Sequence, residues 1–234
     1  MRKFFYPVAC LILLVACGVN FFQTFQKLTY EVFLEMPTSK GTILIDAGHG
    51  GEDPGATSLV GILEKDINLQ IALILQELLE NHGYEVVMTR TDDSDLADSS
   101  LETVAQRKTS DLVNRVELIN SSGADLVISI HQNYFEESQY SGAQCFYYSD
   151  DSKILAEIIQ ESLITNLDTS NTRLASFVDN KYILNNSLIP VTIVECGFLS
   201  NINESELLND QYYQSQIANA IMVGIDEYMV TLNS

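Results

Sequence analysis

Three apolar runs in this chain each lead into a residue that could bind or activate a metal ion. The runs are residues 42–46 before His49, 126–130 before His131 and 191–194 before Glu195. Short apolar runs rich in β-branched residues are typical of buried strands. In an open α/β sheet, ligands bind outside the carboxyl ends of the strands, where residues distant in sequence meet. The pattern therefore predicts a metal centre at one edge of a sheet.

The rest of the chain alternates between helical and strand patterns. Apolar residues at helical spacing begin near Glu64 and stop before Gly83. Further helices are predicted around 112–119, 154–163 and 213–229, and further strands at 84–88, 143–148 and 182–184. This alternation predicts an α/β fold, with a mainly parallel twisted sheet of about six strands and helices on both faces. The length allows one such domain, which we place at residues 41–232.

The N-terminus has the pattern of an export segment. Arg2 and Lys3 precede an apolar stretch, so residues 1–23 are predicted to be a signal peptide or signal anchor with its basic end inside the cell. Residues 24–40 then form a tether, and the domain is exported, acting outside the cytoplasm as a membrane-anchored or secreted protein. A buried core helix is the alternative. Residues 14–17 also resemble a bacterial lipobox, which would place lipid on Cys17.

Charge and cysteine content exclude some classes of partner and site. The chain has 12 basic and 32 acidic residues, a net charge of −20, so it offers no basic surface for a phosphate backbone, and no nucleic-acid partner is expected. Cys145 and Cys196 are predicted to be buried free thiols. Because successive side chains of a strand point to opposite faces, only one of Glu195 and Cys196 should face the site.

Two histidines need a third protein ligand to complete a catalytic zinc site of the His/His/carboxylate kind. Glu64 is the first candidate, because it opens the helix that follows the glycine-rich loop after His49. A carboxylate is also favoured at a helix N-terminus without any metal, and Glu52, Asp53 and Asp66 are alternatives. The third histidine, His82, precedes Gly83 at a predicted helix end and is interpreted as a capping or surface residue.

Glu195 ends an apolar strand, where an unpartnered carboxylate is costly. A nearby metal and its water would supply the partner, and the carboxylate could pass a proton from that water to a leaving amine. A buried structural hydrogen bond is the alternative role.

At four separated motifs the chain resembles the zinc-dependent N-acetylmuramoyl-L-alanine amidases. The motifs are Asp46–Gly51, Leu63–Asp66, Ser129–Asn133 and Val194–Asn201, within a likeness that covers about 41 to 230. The resemblance implies one zinc ion per chain held by His49, Glu64 and His131, with Glu195 as the catalytic carboxylate. Asn133 and Arg173 lie near the motifs and are candidate substrate contacts. Ala47 and Cys196 depart from the usual family residues.

A closer likeness is to the spore cortex subgroup of endospore-forming bacteria, often called germination-specific amidases. It is carried by residues 88–92, 106–120 and 141–148. The resemblance implies removal of stem peptides from muramic acid in cortex peptidoglycan, before a separate deacetylase completes the muramic-δ-lactam, and a location in the forespore intermembrane space. The short segment after His131 leaves no room for the inhibitory helix of division amidases, so expression, location or a partner protein would provide control. A zinc peptidase acting on stem peptides and a non-catalytic peptidoglycan-binding homologue are the alternatives.

Overall fold

The computed structural model describes residue 14, residues 17–27 and residues 39–232. Two compact units are distinguished, residues 1–38 and 39–234. In the first, residues 14 and 17–27 are helical and exposed. Most of the predicted export segment (1–23) and tether (24–40) lies outside the described residues. Within the described ranges, no helix is both long enough and apolar enough to span a membrane.

The second unit contains six strands and six helices among its described residues. The strands are β1 (Thr42–Ala47), β2 (Glu85–Met88), β3 (Leu126–Asn133), β4 (Gln144–Tyr147), β5 (Ser176–Phe177) and β6 (Val191–Phe198). The helices are α1 (Glu64–Asn81), α2 (Val104–Ser121), α3 (Asp150–Asn166), α4 (Tyr182–Asn186), α5 (Ile202–Leu208) and α6 (Gln211–Leu232). His82 is the exposed C-cap of α1, and its Nδ1 lies 2.8 Å from the Leu78 carbonyl oxygen, which confirms its interpretation as a capping residue.

The strands form one sheet in the order β2-β1-β3-β6-β4-β5. β2, β1, β3 and β6 are parallel, β4 runs antiparallel to β6, and β5 is parallel to β4. The prediction of a mainly parallel, six-stranded α/β sheet is confirmed. The prediction of a strand at 182–184 is wrong, because these residues form the start of α4. The short strand β5 at Ser176–Phe177 takes its place in the six-stranded sheet. Ile183 and Leu184 are consecutive and both buried, a pattern that a short helix packed on a sheet satisfies and an alternating strand does not.

Helices cover both faces of the sheet, also as predicted. One face packs against α1, α3 and α6 in the larger apolar core, and the other packs against α2 and α4 in a smaller one. Side chains of β6 alternate between them: Val194 and Cys196 belong to the larger core, whereas Val191 and Ile193 belong to the smaller one. Glu195 therefore lies on the face of α2 and α4, and Cys196 on the opposite face. Cys145 and Cys196 are both buried and unbridged.

Candidate metal centre

The carboxyl ends of three neighbouring central strands form the floor of the site. β1 pairs with β3 and β3 pairs with β6, and this register sets His131 directly beside Glu195. His49 follows β1 in the left-handed backbone conformation, with φ of 61°. A residue other than glycine adopts this conformation at a cost of roughly 1–3 kcal/mol, and persists in it only where its surroundings require it.

Three side chains at this edge form a group that could hold a metal ion. One ligand atom from each of His49, Glu64 and His131 lies within 4.8 Å of the others. Oε1 of Glu64 lies between the two rings, 3.2 Å from Nε2 of His49 and 2.9 Å from Nδ1 of His131. Two imidazoles and one carboxylate are the donor set of catalytic zinc sites that keep a fourth position open.

Glu64 is positioned by its own loop as well as by its helix. It is the first residue of α1, and its Oε2 accepts a hydrogen bond of 2.8 Å from the backbone N–H of Ala56. Oε1 accepts a further hydrogen bond from the backbone N–H of Gln132. Burial alone would raise the pKa of Glu64, but the hydrogen bonds and charges of the two histidines outweigh it and hold the pKa well below its usual range. The carboxylate is therefore ionised and available as a ligand.

Asp53, an alternative ligand in the sequence, instead orients His49. Its Oδ2 lies 2.8 Å from Nδ1 of His49, which leaves Nε2 directed toward Glu64. Such a carboxylate fixes the ring orientation and increases the basicity of a metal-binding histidine. Burial opposes the charged form of His49, but the hydrogen bonds and charges of Asp53 and Glu64 raise its pKa to about 9. Protons and a metal ion therefore compete for this ring at neutral pH.

Two glycines allow the group to pack this closely. A Cβ atom at Gly48 would overlap the His131 ring. A Cβ atom at Gly55, where φ is 66°, would lie 2.5 Å from Oε2 of Glu64 and 2.7 Å from Cδ2 of His49. Close approach, rather than flexibility, explains why the loop after β1 needs glycine at these positions.

Two buried arginines hold the backbone of the His49 loop. Arg115, on α2, donates from Nη2 to the His49 carbonyl at 2.6 Å and from Nη1 to the Ala47 carbonyl at 2.9 Å. Arg90 donates to the carbonyls of Ala47 and Gly48. These bonds explain how His49 keeps its strained conformation.

A buried carboxylate balances the charge of Arg115. Asp46, with no exposed surface, lies 2.6 Å from Nη1 of Arg115 and accepts a hydrogen bond from the Ser129 hydroxyl. Burial would raise the pKa of Asp46, but the Arg115 charge and the Ser129 hydrogen bond outweigh it and lower the pKa. Asp46, at the end of the first apolar run, therefore supports the site without belonging to the group that could hold a metal.

Glu195 stands beside the metal-binding group and has few partners. Its carboxylate is almost fully buried, and within the described part of the chain Oε2 has no hydrogen-bond partner. Lys181 supplies the nearest positive side chain, with Nζ 3.9 Å from Oε1. Burial raises the pKa of Glu195 above its ordinary value, which favours a group that accepts and returns a proton.

The four principal residues predicted from the sequence line one open cavity of about 340 Å³. Other lining residues come from α2, from the segment before α4 and from the first turn of α4, and they include Lys108, Leu112, Asn180, Lys181, Tyr182 and Ile183. The sequence pattern does not indicate this second wall. The few lysines of this strongly acidic chain could have been considered as cavity residues, but only the fold shows which of them face the cavity.

Asn133 and Arg173 are not among the residues that line this cavity. Asn133 lies at the end of β3, where its Oδ1 accepts a hydrogen bond from the backbone N–H of Tyr134. The Arg173 guanidinium lies over the Phe198 ring, 4.6 Å from its centroid, and Nε donates to the Ser141 carbonyl. Their contact with substrate stays a prediction.

A mainly parallel α/β sheet, with a His/Glu/His group at the carboxyl ends of its strands and a buried carboxylate beside it, defines a hydrolase-like candidate metal centre. The family model described as N-acetylmuramoyl-L-alanine amidase matches residues 43–227. The chain belongs to this family of amide-cleaving enzymes.

Individual relatives agree with the family assignment. The chain is 41% identical over 197 residues to the germination-specific N-acetylmuramoyl-L-alanine amidase of Bacillus subtilis, covering 82% of this chain and 81% of the relative. A structure of the CwlD amidase from Clostridioides difficile in complex with the GerS lipoprotein matches with a TM-score of 0.80 and 47% identity, over 82% of this chain and 99% of that chain. An N-acetylmuramoyl-L-alanine amidase from Clostridium difficile 630 matches with a TM-score of 0.72 and 31% identity, over 82% and 98%.

Proposed function

We propose that this chain is a zinc-dependent amidase that cleaves the bond between N-acetylmuramic acid and L-alanine in peptidoglycan. The observation that supports it is the group formed by His49, Glu64 and His131, with Glu195 beside His131 on the neighbouring strand. His49, Glu64 and His131 would hold one zinc ion. When bound, zinc supplies a Lewis acid that lowers the pKa of water from 15.7 to about 7 and polarises a carbonyl group.

Glu195 handles the proton in this mechanism. Its carboxylate accepts a proton from the attacking water as the hydroxyl oxygen bonds to the lactyl carbonyl carbon. The same carboxyl then returns the proton to the alanine nitrogen as the carbon–nitrogen bond breaks, so the products are a free muramic acid carboxyl group and a free peptide amine. Burial of Glu195 and its raised pKa suit this exchange.

We infer further that the substrate is spore cortex peptidoglycan. The support is the similarity to the germination-specific amidase of Bacillus subtilis and to the CwlD amidase. Removal of the stem peptide exposes the muramic acid carboxyl group, which a deacetylase acting next would need for muramic-δ-lactam formation. The enzyme would then act outside the cytoplasm, in the forespore intermembrane space, tethered or exported through residues 1–23.

A regulatory partner belongs to the same proposal. The similar CwlD amidase is seen in complex with the GerS lipoprotein, so a lipoprotein is the kind of partner we propose for this chain. Co-purification of the full-length chain with a membrane lipoprotein from sporulating cells would test this, and zinc content with and without the partner would show whether the partner acts on the metal centre.

Product analysis tests the activity directly. We expect the purified full-length chain, supplied with zinc and cortex peptidoglycan, to release intact stem peptides with a free alanine amine, identified by mass spectrometry. His131→Ala should lose zinc, measured by elemental analysis, and lose this product, because two remaining ligands hold zinc poorly.

Other products would identify the alternatives. Shortened stem peptides still attached to muramic acid would indicate a zinc peptidase, since the same ligand set can hydrolyse other amides. A zinc-loaded protein that releases neither product, even with a lipoprotein partner present, would indicate a non-catalytic homologue.

A further inference from the structure

The second wall of the cavity contains two positive side chains in a chain that is otherwise strongly acidic. Lys108 comes from α2 and Lys181 from the N-cap of α4, and both line the cavity that contains Glu195. The chain as a whole carries a net charge of −20, which repels an anionic ligand at long range. A local positive charge at the cavity is therefore needed if the ligand is an anion.

Lys108 forms an ion pair with Asp53. Its Nζ lies 3.2 Å from Oδ2 of Asp53, the same oxygen that orients His49. Arg173, beside the end of β6, is held by the Phe198 ring and by the Ser141 carbonyl. Each of these side chains would lose a close contact on turning toward a ligand, and for Lys108 that contact is with the carboxylate that orients His49.

Lys181 is differently placed. Its ammonium group is 3.9 Å from Oε1 of Glu195, beyond hydrogen-bond distance, and its side chain is 47% exposed. A half-exposed lysine on a flexible stem can keep one side toward Glu195 and direct its N–H donors into the cavity. It stands beside the carboxylate to which we assign proton transfer, so a ligand group that it binds lies close to the reacting bond.

We propose that Lys181 is a specificity-determining residue that binds a carboxylate of the peptide part of the substrate. This inference rests on the proposed function, because a peptide joined to muramic acid through its amino end has its free carboxylates, where it carries them, on the part that is released. An ammonium–carboxylate hydrogen bond is stronger than a neutral one and selects anionic peptides over amidated ones.

The test compares two synthetic substrates that differ only in charge. One is N-acetylmuramoyl-L-alanyl-glutamate with free carboxylates, and the other is the same compound with both carboxyl groups amidated. With the zinc-supplemented full-length chain, we expect Lys181→Met to raise KM for the carboxylate substrate roughly tenfold and to leave KM for the amidated one unchanged. Lys181→Arg should retain most of the preference.

Lys153 provides a matched control. Its side chain is also 47% exposed, and its Nζ lies 3.8 Å from Oε1 of Glu157. Lys153 is not among the residues that line the cavity. Lys153→Met should leave both substrates unaffected. If Lys181→Met lowers kcat/KM equally for both substrates, Lys181 acts only through Glu195. If the ratio of the two KM values stays at the wild-type value, Lys181 binds no carboxylate. Either result overturns the proposal.

A binding measurement separates this proposal from the proposed function. If the zinc-loaded wild-type chain cleaves neither these substrates nor cortex peptidoglycan, even with a lipoprotein partner present, the amidase proposal fails, yet calorimetry with ketomethylene analogues of both compounds still reports on Lys181. Tighter binding of the carboxylate analogue that disappears in Lys181→Met supports the carboxylate site. Equal binding of both analogues by the wild-type chain refutes it.

Discussion

The two faces of the sheet differ in what they bury. The face under α1, α3 and α6 buries a large apolar cluster with neutral polar side chains such as Asn68, Gln160 and Gln214, whereas the face under α2 and α4 buries the charged Asp46, Arg115 and Glu195 beside a smaller apolar cluster. Adjacent residues of one strand show the contrast, since Glu195 lines the cavity and Cys196 lies in the apolar core. The first face stabilises the fold mainly by burying apolar side chains, whereas the second also buries charged groups that it holds in position.

The largest expected effect comes from substituting Glu195, with its neighbour Cys196 on the opposite face as the comparison. Glu195→Gln should lower amide hydrolysis roughly 10²- to 10⁴-fold, the usual contribution of a general acid–base group, while zinc content stays unchanged. Cys196→Ala, one residue away, should leave kcat near the wild-type value and lower only the thermal midpoint, because it removes a small buried side chain. Steady-state assays, elemental analysis and calorimetry of both variants check this, and substantial activity in Glu195→Gln would remove its assigned role.

The next effect concerns the charged support of the site. Arg115→Met should reduce the free energy of unfolding by about 3–5 kcal/mol, because it leaves the buried Asp46 carboxylate without its partner. It should also weaken zinc binding, because the His49 carbonyl loses a donor. Urea unfolding and chelator competition measure the two quantities.

The opposite face provides the control for Arg115. Leu155→Ala, in the apolar core, should cost about 2–5 kcal/mol of stability but leave zinc affinity unchanged. If Arg115→Met does not fold, Arg115→Lys keeps the charge and loses the planar donor geometry, and should show the weaker zinc binding alone. Equal zinc affinity in all of these variants would contradict a positioning role for Arg115.

The smallest effect is a dependence of zinc affinity on pH. The pKa of His49 is raised to about 9, so below that pH the ring holds a proton that zinc must displace. Zinc affinity should therefore rise roughly tenfold for each pH unit between about 6.5 and 8.5, and level off above pH 9. In Asp53→Asn the zinc affinity should level off at a lower pH, because the change removes a carboxylate that raises this pKa. Competition with a chelator at several pH values checks both; a flat profile in the wild-type chain would exclude proton competition at His49.

The sequence alone was sufficient to predict the three strands that form the floor of the site. β1, β3 and β6 are long apolar runs that stay buried in a parallel sheet, and such runs are recognised without knowing their neighbours. Local pattern also placed Glu64 at the start of a helix and His82 at its end, since helix ends depend on nearby residues. Short segments were less certain, and residues 182–184 show why: three apolar residues suit a strand or a helix equally until packing decides.

The sequence determined which chemical groups stand at the strand ends, but only the tertiary structure decided what each of them does. Asp46, Asp53 and Glu64 are all carboxylates close to His49 in sequence, and spacing cannot tell a support, an orienting group and a candidate ligand apart. The fold separates them by bringing Arg115 to the first, the Nδ1 edge of His49 to the second and His131 to the third. The role proposed for Lys181 likewise depends on the tertiary structure. The effect of a charge depends on the groups within a few ångströms of it, and those groups come from distant parts of the chain.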